Sequence, residues 1–144
     1  MLAQFWEHQS ALKNLYSHYI NPLCQKYDLN RTEMDILLFL ANNPQFDTAT
    51  SIVEHKGLSK SHVSTSLRSL EENGYLQTAY LGGNRRTVHL KLLDKAHDIV
   101  SEGQQAQLLY VNILFGNFSD EEKEEMIHLT GKMTDNVQKH LGKD

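Results

Sequence analysis

Two capped helix patterns joined by a glycine turn lie between residues 48 and 73 of this 144-residue chain. Thr48 is the predicted N-cap of a short helix that ends near His55, and Ser59 is the predicted N-cap of a second helix that runs to about Asn73. Gly57, in the turn between them, can adopt the positive φ that a tight turn requires. A short helix, a turn of about four residues and a capped second helix are typical of a helix-turn-helix unit.

Two segments of alternating apolar residues follow this unit and predict a β-hairpin. The first alternates at Leu76, Thr78 and Tyr80, and the second alternates at Val88, Leu90 and Leu92. The connection, residues 82–86, reads Gly-Gly-Asn-Arg-Arg and has the residues that a hairpin tip favours. The order helix, turn, helix, hairpin predicts a winged helix-turn-helix, in a chain that is mainly α with a small β-hairpin wing.

Helical patterns flank this module on both sides. Apolar positions in residues 2–27 predict a long amphipathic helix, which Pro22 should kink or divide. Asn30 and Glu33 have the spacing of a capping box, and so do Ser119 and Glu122. We therefore predict three parts: a dimerisation helix at 1–27, the winged module at 28–94 and C-terminal dimerisation helices at 95–144.

The charge of the chain is unevenly distributed. Its net charge is −4, yet residues 55–95 hold seven basic and three acidic residues and carry +4, which leaves −8 on the rest. A basic segment inside an acidic chain indicates a surface that binds a polyanion. The arginines at the hairpin tip have no structural need and suit contact with phosphates or a minor groove.

The second capped helix has the pattern of a DNA-reading helix. Val63, Leu67 and Leu70 form its apolar stripe, and the helical repeat turns Ser61, Thr65 and Arg68 to the opposite face. Short hydroxyl side chains allow close approach to a major groove, and arginine can bond guanine in bidentate fashion. The predicted DNA-binding residues are Ser59, Lys60, Ser61, His62, Ser64, Thr65, Arg68, Asn84, Arg85 and Arg86.

With these motifs the sequence resembles the MarR family of bacterial transcriptional regulators. The matching stretches are Leu29–Glu33, Leu58–Leu76 and Asn84–Leu92, followed by two helical segments as in that family. The resemblance implies a homodimer, a pseudo-palindromic DNA operator and, as is common in that family, release from DNA by a small-molecule or oxidant signal. We expect the regulator to be a repressor. One departure is Asn84, where family members usually carry an aspartate that helps to hold the wing arginine.

The apolar stripes of the first and last helices also predict the homodimer, because the small winged module cannot cover them. Aromatic residues of the first helix, Tyr16 and Tyr19 among them, could line an effector pocket, although aromatic stripes are more often core or dimer interface. A metal-responsive regulator that binds zinc is an alternative because the chain holds eight histidines, but no two are spaced as ligands on one helical face. A winged module that binds protein and not DNA is a further alternative.

Several other classes are not expected. The chain lacks the phosphate-loop, dinucleotide-binding, G-x-S-x-G and His-Glu-x-x-His motifs, so neither an enzyme nor a cofactor is predicted. Cys24 is the single cysteine, and we expect a buried or bystander thiol. The longest apolar run, Ile36–Ala41, has six residues against the ~20 of a membrane-spanning helix. With no secretion signal visible, we expect a cytoplasmic protein without membrane partners.

Overall fold

The computed structural model describes residues 1–142, and that range contains six α-helices and one two-stranded hairpin. The elements are α1 Leu2–Tyr27, α2 Arg31–Asn42, α3 Ala49–Lys56, α4 Lys60–Glu72, β1 Leu76–Ala79, β2 His89–Leu92, a 3-10 turn at Asp94–Ala96, α5 His97–Leu114 and α6 Asp120–His140. The fold class predicted from the sequence, mainly α with a β-hairpin wing, is confirmed. No helix in the described part of the chain has the length and apolar content needed to cross a bilayer.

The chain forms two compact units, Met1–Leu108 and Leu109–Asp144. The first unit holds α1 to α4, the hairpin and most of α5, with a core that includes Ile20, Met34, Leu37, Leu70 and Ile99. The second holds the end of α5 and all of α6, a helix with no buried residue. The functional division into dimerisation helices and a winged module remains a prediction.

The helix caps lie where the sequence places them. Asn30 and Glu33 form a reciprocal capping box at the start of α2, and Ser119 and Glu122 form another at the start of α6. Thr48 accepts a hydrogen bond from the backbone N–H of Ser51, and so begins α3. Each cap satisfies backbone donors that the first turn of a helix leaves without partners.

Pro22 does not divide α1, which continues as one helix from Leu2 to Tyr27, so that alternative is wrong. A proline inside a helix removes one backbone hydrogen bond, and its ring crowds the carbonyl four residues earlier. Ile20 and Cys24, on either side of it, are both buried in the core. Packing before and after Pro22 therefore holds the helical path across the missing bond.

The hairpin is shorter than the alternation predicts. Leu76 pairs with Leu92 and Ala79 pairs with His89, so Tyr80 and Val88 lie outside the strands. Beyond this last pair the ladder gives way to the exposed tip. On its other side β2 meets the chain before α3, where the Leu90 N–H donates to the Asp47 carbonyl at 2.7 Å. The Ala49 N–H also donates to the Val88 carbonyl, at 3.2 Å, and this second set of backbone hydrogen bonds anchors the wing to the helix-turn-helix.

Candidate nucleic-acid interface

Helix α4 is held against the core along one side. The Ser59 hydroxyl caps it by accepting the His62 N–H at 3.2 Å, and Gly57 closes the preceding turn with a φ of 65°. Val63, Leu67 and Leu70 are at most 6% exposed. The apolar stripe predicted from the sequence is thus the buried side of α4.

The opposite side of α4 faces solvent and carries Ser61, Thr65 and Arg68, as predicted. The Thr65 hydroxyl donates to the Ser61 carbonyl at 2.9 Å, so its oxygen keeps lone pairs for an incoming donor. Among the described residues, no carboxylate lies within ion-pair distance of Arg68. This guanidinium therefore has all of its donors available to an acceptor outside the chain.

The flanking residues of α4 differ from one another. Lys60 and Ser64 are exposed, as expected for groups that could reach a DNA backbone. His62 is also exposed, but its Nε2 lies 3.3 Å from the Thr32 hydroxyl at the start of α2. Its ring is therefore engaged with α2, which the helical repeat alone could not indicate.

The wing tip is organised by Asn84. Its amide oxygen accepts the Arg86 N–H at 2.9 Å, and its amide nitrogen donates to the Thr87 hydroxyl at 3.3 Å. Gly82 and Gly83 both have positive φ, 62° and 74°, which lets the chain reverse. In this structure Asn84 shapes the turn, and an amide supplies the acceptor that an aspartate would supply.

Arg85 and Arg86 extend from this turn into solvent. Neither forms an ion pair within residues 1–142. With Lys60 and Arg68 they are the cations of a surface, which we call the reading surface, formed by the exposed side of α4 and the wing tip.

Glu71 links the two parts of this surface, and the sequence did not indicate it. Its Oε1 accepts the backbone N–H of Thr78 at 2.9 Å and the Thr78 hydroxyl at 2.8 Å, which ties the end of α4 to β1. These two hydrogen bonds lower the pKa of Glu71 below its usual range. Only the path of the hairpin brings Thr78 to this carboxylate, so no local pattern could identify the pair.

Comparison with known proteins relates this arrangement to a family of regulators. Residues 27–86 match the model of the MarR family, a span that includes α2, α3, α4, β1 and the wing tip. The HTH-type transcriptional regulator PecS of Dickeya dadantii (strain 3937) is 27% identical over 134 residues, which cover 92% of this chain and 78% of PecS. In sequence, the chain is thus similar to the MarR family of transcriptional regulators.

Solved MarR-family structures share the fold of this chain. A putative MarR family transcriptional regulator from Listeria monocytogenes, complexed with a 26mer DNA, superposes with a TM-score of 0.79 at 15% identity. The match covers 100% of this chain and 96% of the Listeria chain. A MarR protein from Peptoclostridium difficile superposes with a TM-score of 0.78 at 20% identity. The match covers 94% of this chain and 88% of the P. difficile chain. The S. aureus MepR–DNA complex superposes with a TM-score of 0.72 at 19% identity. The match covers 95% of this chain and 94% of the MepR chain.

The two tyrosines predicted for an effector pocket pack against the core of the first compact unit. Tyr16 and Tyr19 are both half-buried. The Arg31 guanidinium lies 4.7 Å from the centre of the Tyr16 ring, and the Gln107 amide donates to the Tyr16 hydroxyl at 2.9 Å. Burial raises the pKa of Tyr16 above its usual range.

The other groups considered for sensing are scattered. Within residues 1–142 no three histidine, cysteine or acidic side chains are grouped so that they could hold a metal ion. His89 instead lies 3.2 Å from the Asp47 carboxylate, and His55 stacks on Phe46. Cys24 is buried, and burial raises the pKa of its thiol.

Proposed function

We propose that this chain is a MarR-family regulator, a cytoplasmic repressor that binds a pseudo-palindromic DNA operator as a homodimer and is released by a small molecule or another signal. The observation that carries the DNA-binding part is the reading surface. Its arginines at positions 68, 85 and 86 are exposed without a carboxylate partner in residues 1–142, while the rest of the chain is acidic. Exposed cations gathered on one helix face and one loop are the electrostatic footprint of a nucleic-acid binder.

In this proposal α4 enters the major groove. Arg68 bonds the O6 and N7 of a guanine, and the hydroxyls of Ser61 and Thr65 lie against neighbouring base edges. Lys60, Ser59 and Ser64 contact the backbone beside the groove, where the free N–H groups of the first helical turn also favour a phosphate. Arg85 and Arg86 contact the adjacent minor groove or its phosphates.

Exposed apolar side chains on both terminal helices support the homodimer. On α1, Leu2 is 67% exposed and Trp6 is 60% exposed. On α6, Leu129, Met133 and Val137 follow one another along one face and are all about half exposed. Apolar surface of this extent is typical of an oligomer interface, and a two-fold dimer would present two α4 helices to half-sites about 34 Å apart.

Release by an effector completes the proposal. S. aureus MarR, a protein of similar fold, has been solved in complex with salicylate and kanamycin. Here Tyr16 and Tyr19 are the proposed pocket residues, and a ligand there would have to displace the Gln107 and Arg31 contacts of Tyr16. Such a ligand would shift the chain toward a state that binds the operator less tightly.

Selection of bound sequences from a random DNA duplex pool, followed by titration of the winner against salt, tests the proposal. We expect a palindrome of about 16–20 base pairs, bound with a steep salt dependence. No enrichment by a folded, ligand-free dimer would contradict DNA reading and favour the protein-binding alternative. Selection of a site without two-fold symmetry would contradict the homodimeric mode.

A further inference from the structure

The side of α4 that faces α2 is polar. His62, Ser66 and Ser69 follow one another at intervals of four and three residues, which places them on one stripe of the helix. Ser66 is 5% exposed and Ser69 is half-buried. His62 and Ser69 contact the neighbouring residues Thr32 and Glu33 at the start of α2. The contact between α4 and α2 is thus partly made of directional hydrogen bonds.

Glu33 is the centre of this contact. Its carboxylate is almost entirely buried, with the residue 6% exposed. Oε1 accepts the Asn30 N–H at 3.0 Å, and Oε2 accepts the Ser69 hydroxyl at 2.7 Å. A buried carboxylate needs donors on its oxygens, and hydrogen bonds to a charged oxygen are short and strong. One oxygen therefore belongs to the capping box of α2, and the other belongs to α4.

The apolar stripe of α4 cannot supply the same restraint, because hydrophobic packing is non-directional. A helix with its side chains has a radius of about 5 Å, so a rotation of roughly 20° moves its surface by about 2 Å. A displacement of that size exceeds the tolerance of a hydrogen bond to a base edge. A bond from Ser69 to a carboxylate that is itself fixed by Asn30 opposes such a rotation.

We propose that Glu33 and Ser69 are positioning residues that set the orientation of α4, and through it the operator specificity of Arg68. Neither residue belongs to the reading surface, since Glu33 is buried and Ser69 points toward α2. This inference rests on the proposed function for its effect on DNA. Its structural part, the restraint of α4, is independent of DNA.

Ser69→Ala is the decisive variant, because it removes the bond to α4 and leaves the capping box of Asn30 and Glu33 intact. We expect operator affinity to fall about ten-fold, the effect of one hydrogen bond to a charged group. Affinity for non-specific duplex and the salt slope should be unchanged, because the phosphate contacts remain. Thermal unfolding of each variant shows that the measurements are made on folded protein.

Two conservative variants serve as controls. Ser69→Thr keeps the hydroxyl and should restore operator affinity to within about two-fold of the starting protein. Glu33→Gln can accept from Asn30 through its oxygen and donate to Ser69 through its nitrogen, so it should also retain most of the affinity. Equal loss of specific and non-specific affinity in Ser69→Ala, or no rescue by Ser69→Thr, would overturn the inference.

Hydrogen exchange of the free protein separates this inference from the proposed function. Ser69→Ala should increase amide exchange in 60–72 several-fold relative to 31–42. Unchanged exchange in α4 would refute the restraint whether or not DNA is bound. A different outcome combines faster exchange in Ser69→Ala with failure of the unmodified chain to select any DNA. It would refute the proposed function and the specificity role of Glu33 and Ser69. The restraint of α4 would stand.

Discussion

Gly103 of α5 lies directly against Leu38 of α2. A Cβ atom at position 103 would lie 2.5 Å from Leu38 Cδ2, closer than real Cβ contacts, and Leu38 is only 1% exposed. The absence of a side chain therefore allows α5 to approach α2 inside the first compact unit. This pair joins a helix of the predicted winged module to a helix of the predicted C-terminal arm.

Gly103→Ala should lower the free energy of unfolding by about 1–3 kcal/mol, because the added methyl overpacks a dense core. Chemical denaturation measures this loss. Gly131 of α6 is the matched control, since nothing lies within 4 Å of the position of its missing Cβ. Gly131→Ala should stabilise by up to ~1 kcal/mol through helix propensity alone. A stabilising Gly103→Ala would refute the close packing.

Arg68→Ala should cost about 1–3 kcal/mol of operator binding free energy and relax the preference at one base pair in each half-site. Competition binding with single-base operator variants measures both effects. Arg86→Ala is the comparison, because a wing arginine that contacts phosphates should weaken all sequences alike and reduce the salt slope. Unchanged operator affinity in Arg68→Ala would show that the DNA-reading face of α4 is wrongly assigned.

Asn84→Ala should open the wing tip, because the Arg86 N–H loses its acceptor. We expect the amide of Arg86 to exchange with solvent several-fold faster in this variant, measured by NMR. Asn84→Asp keeps an oxygen at the same place and should exchange at close to the original rate. Equal rates in all three proteins would mean that the glycines alone shape the turn.

Met133→Asp should separate the proposed homodimer, since it places a charge in the middle of the exposed apolar face of α6. Sedimentation velocity at micromolar concentration should show a monomer. His128→Asp adds a charge to the opposite, exposed side of the same helix and should leave the dimer intact. A monomeric unmodified chain would contradict the dimer, and a dimeric Met133→Asp would move its interface away from this face.

Cys24 should react with a thiol reagent at pH 8 at least ~10-fold more slowly in the native chain than in urea, because burial raises its pKa and hides its sulfur. The raised pKa also sets a direction for stability. The contribution of the Cys24 thiol to the free energy of unfolding is fully present below the pKa of the unfolded thiol. It is lost as the pH rises through the pKa of the folded thiol. Stability of the Cys24→Ser variant should lack this alkaline decline, and rapid native labelling would contradict burial.

Local chemistry made much of the fold predictable. Thr48, Asn30 and Ser119 cap their helices through atoms no more than three residues away, and the predicted starts of α2, α3 and α6 are confirmed. The buried side of α4 was also predictable, because the apolar stripe of an amphipathic helix faces the core. The same repeat places Arg68 on the exposed side.

Longer-range polar contacts could not be predicted in this way. His62 flanks the exposed side of α4 by helical repeat, yet its ring contacts Thr32, thirty residues earlier. A proline such as Pro22 is expected to interrupt a helix, yet α1 is continuous and the residues Ile20 and Cys24 on either side of Pro22 are packed in the core. The first outcome depends on a residue distant in the chain, and the second on burial of Ile20 and Cys24 in the core.

The starts of the four capped helices, the glycine turn, the wing and the cations of the reading surface follow from local sequence, because caps, turns and amphipathic stripes act over a few residues. Which polar groups meet, as Glu33 meets Ser69 and Glu71 meets Thr78, depends on how the helices and the hairpin pack. Side-chain hydrogen bonds act over about 3 Å. Partners separated by 36 residues, as Glu33 and Ser69 are, find each other only after the helices have packed.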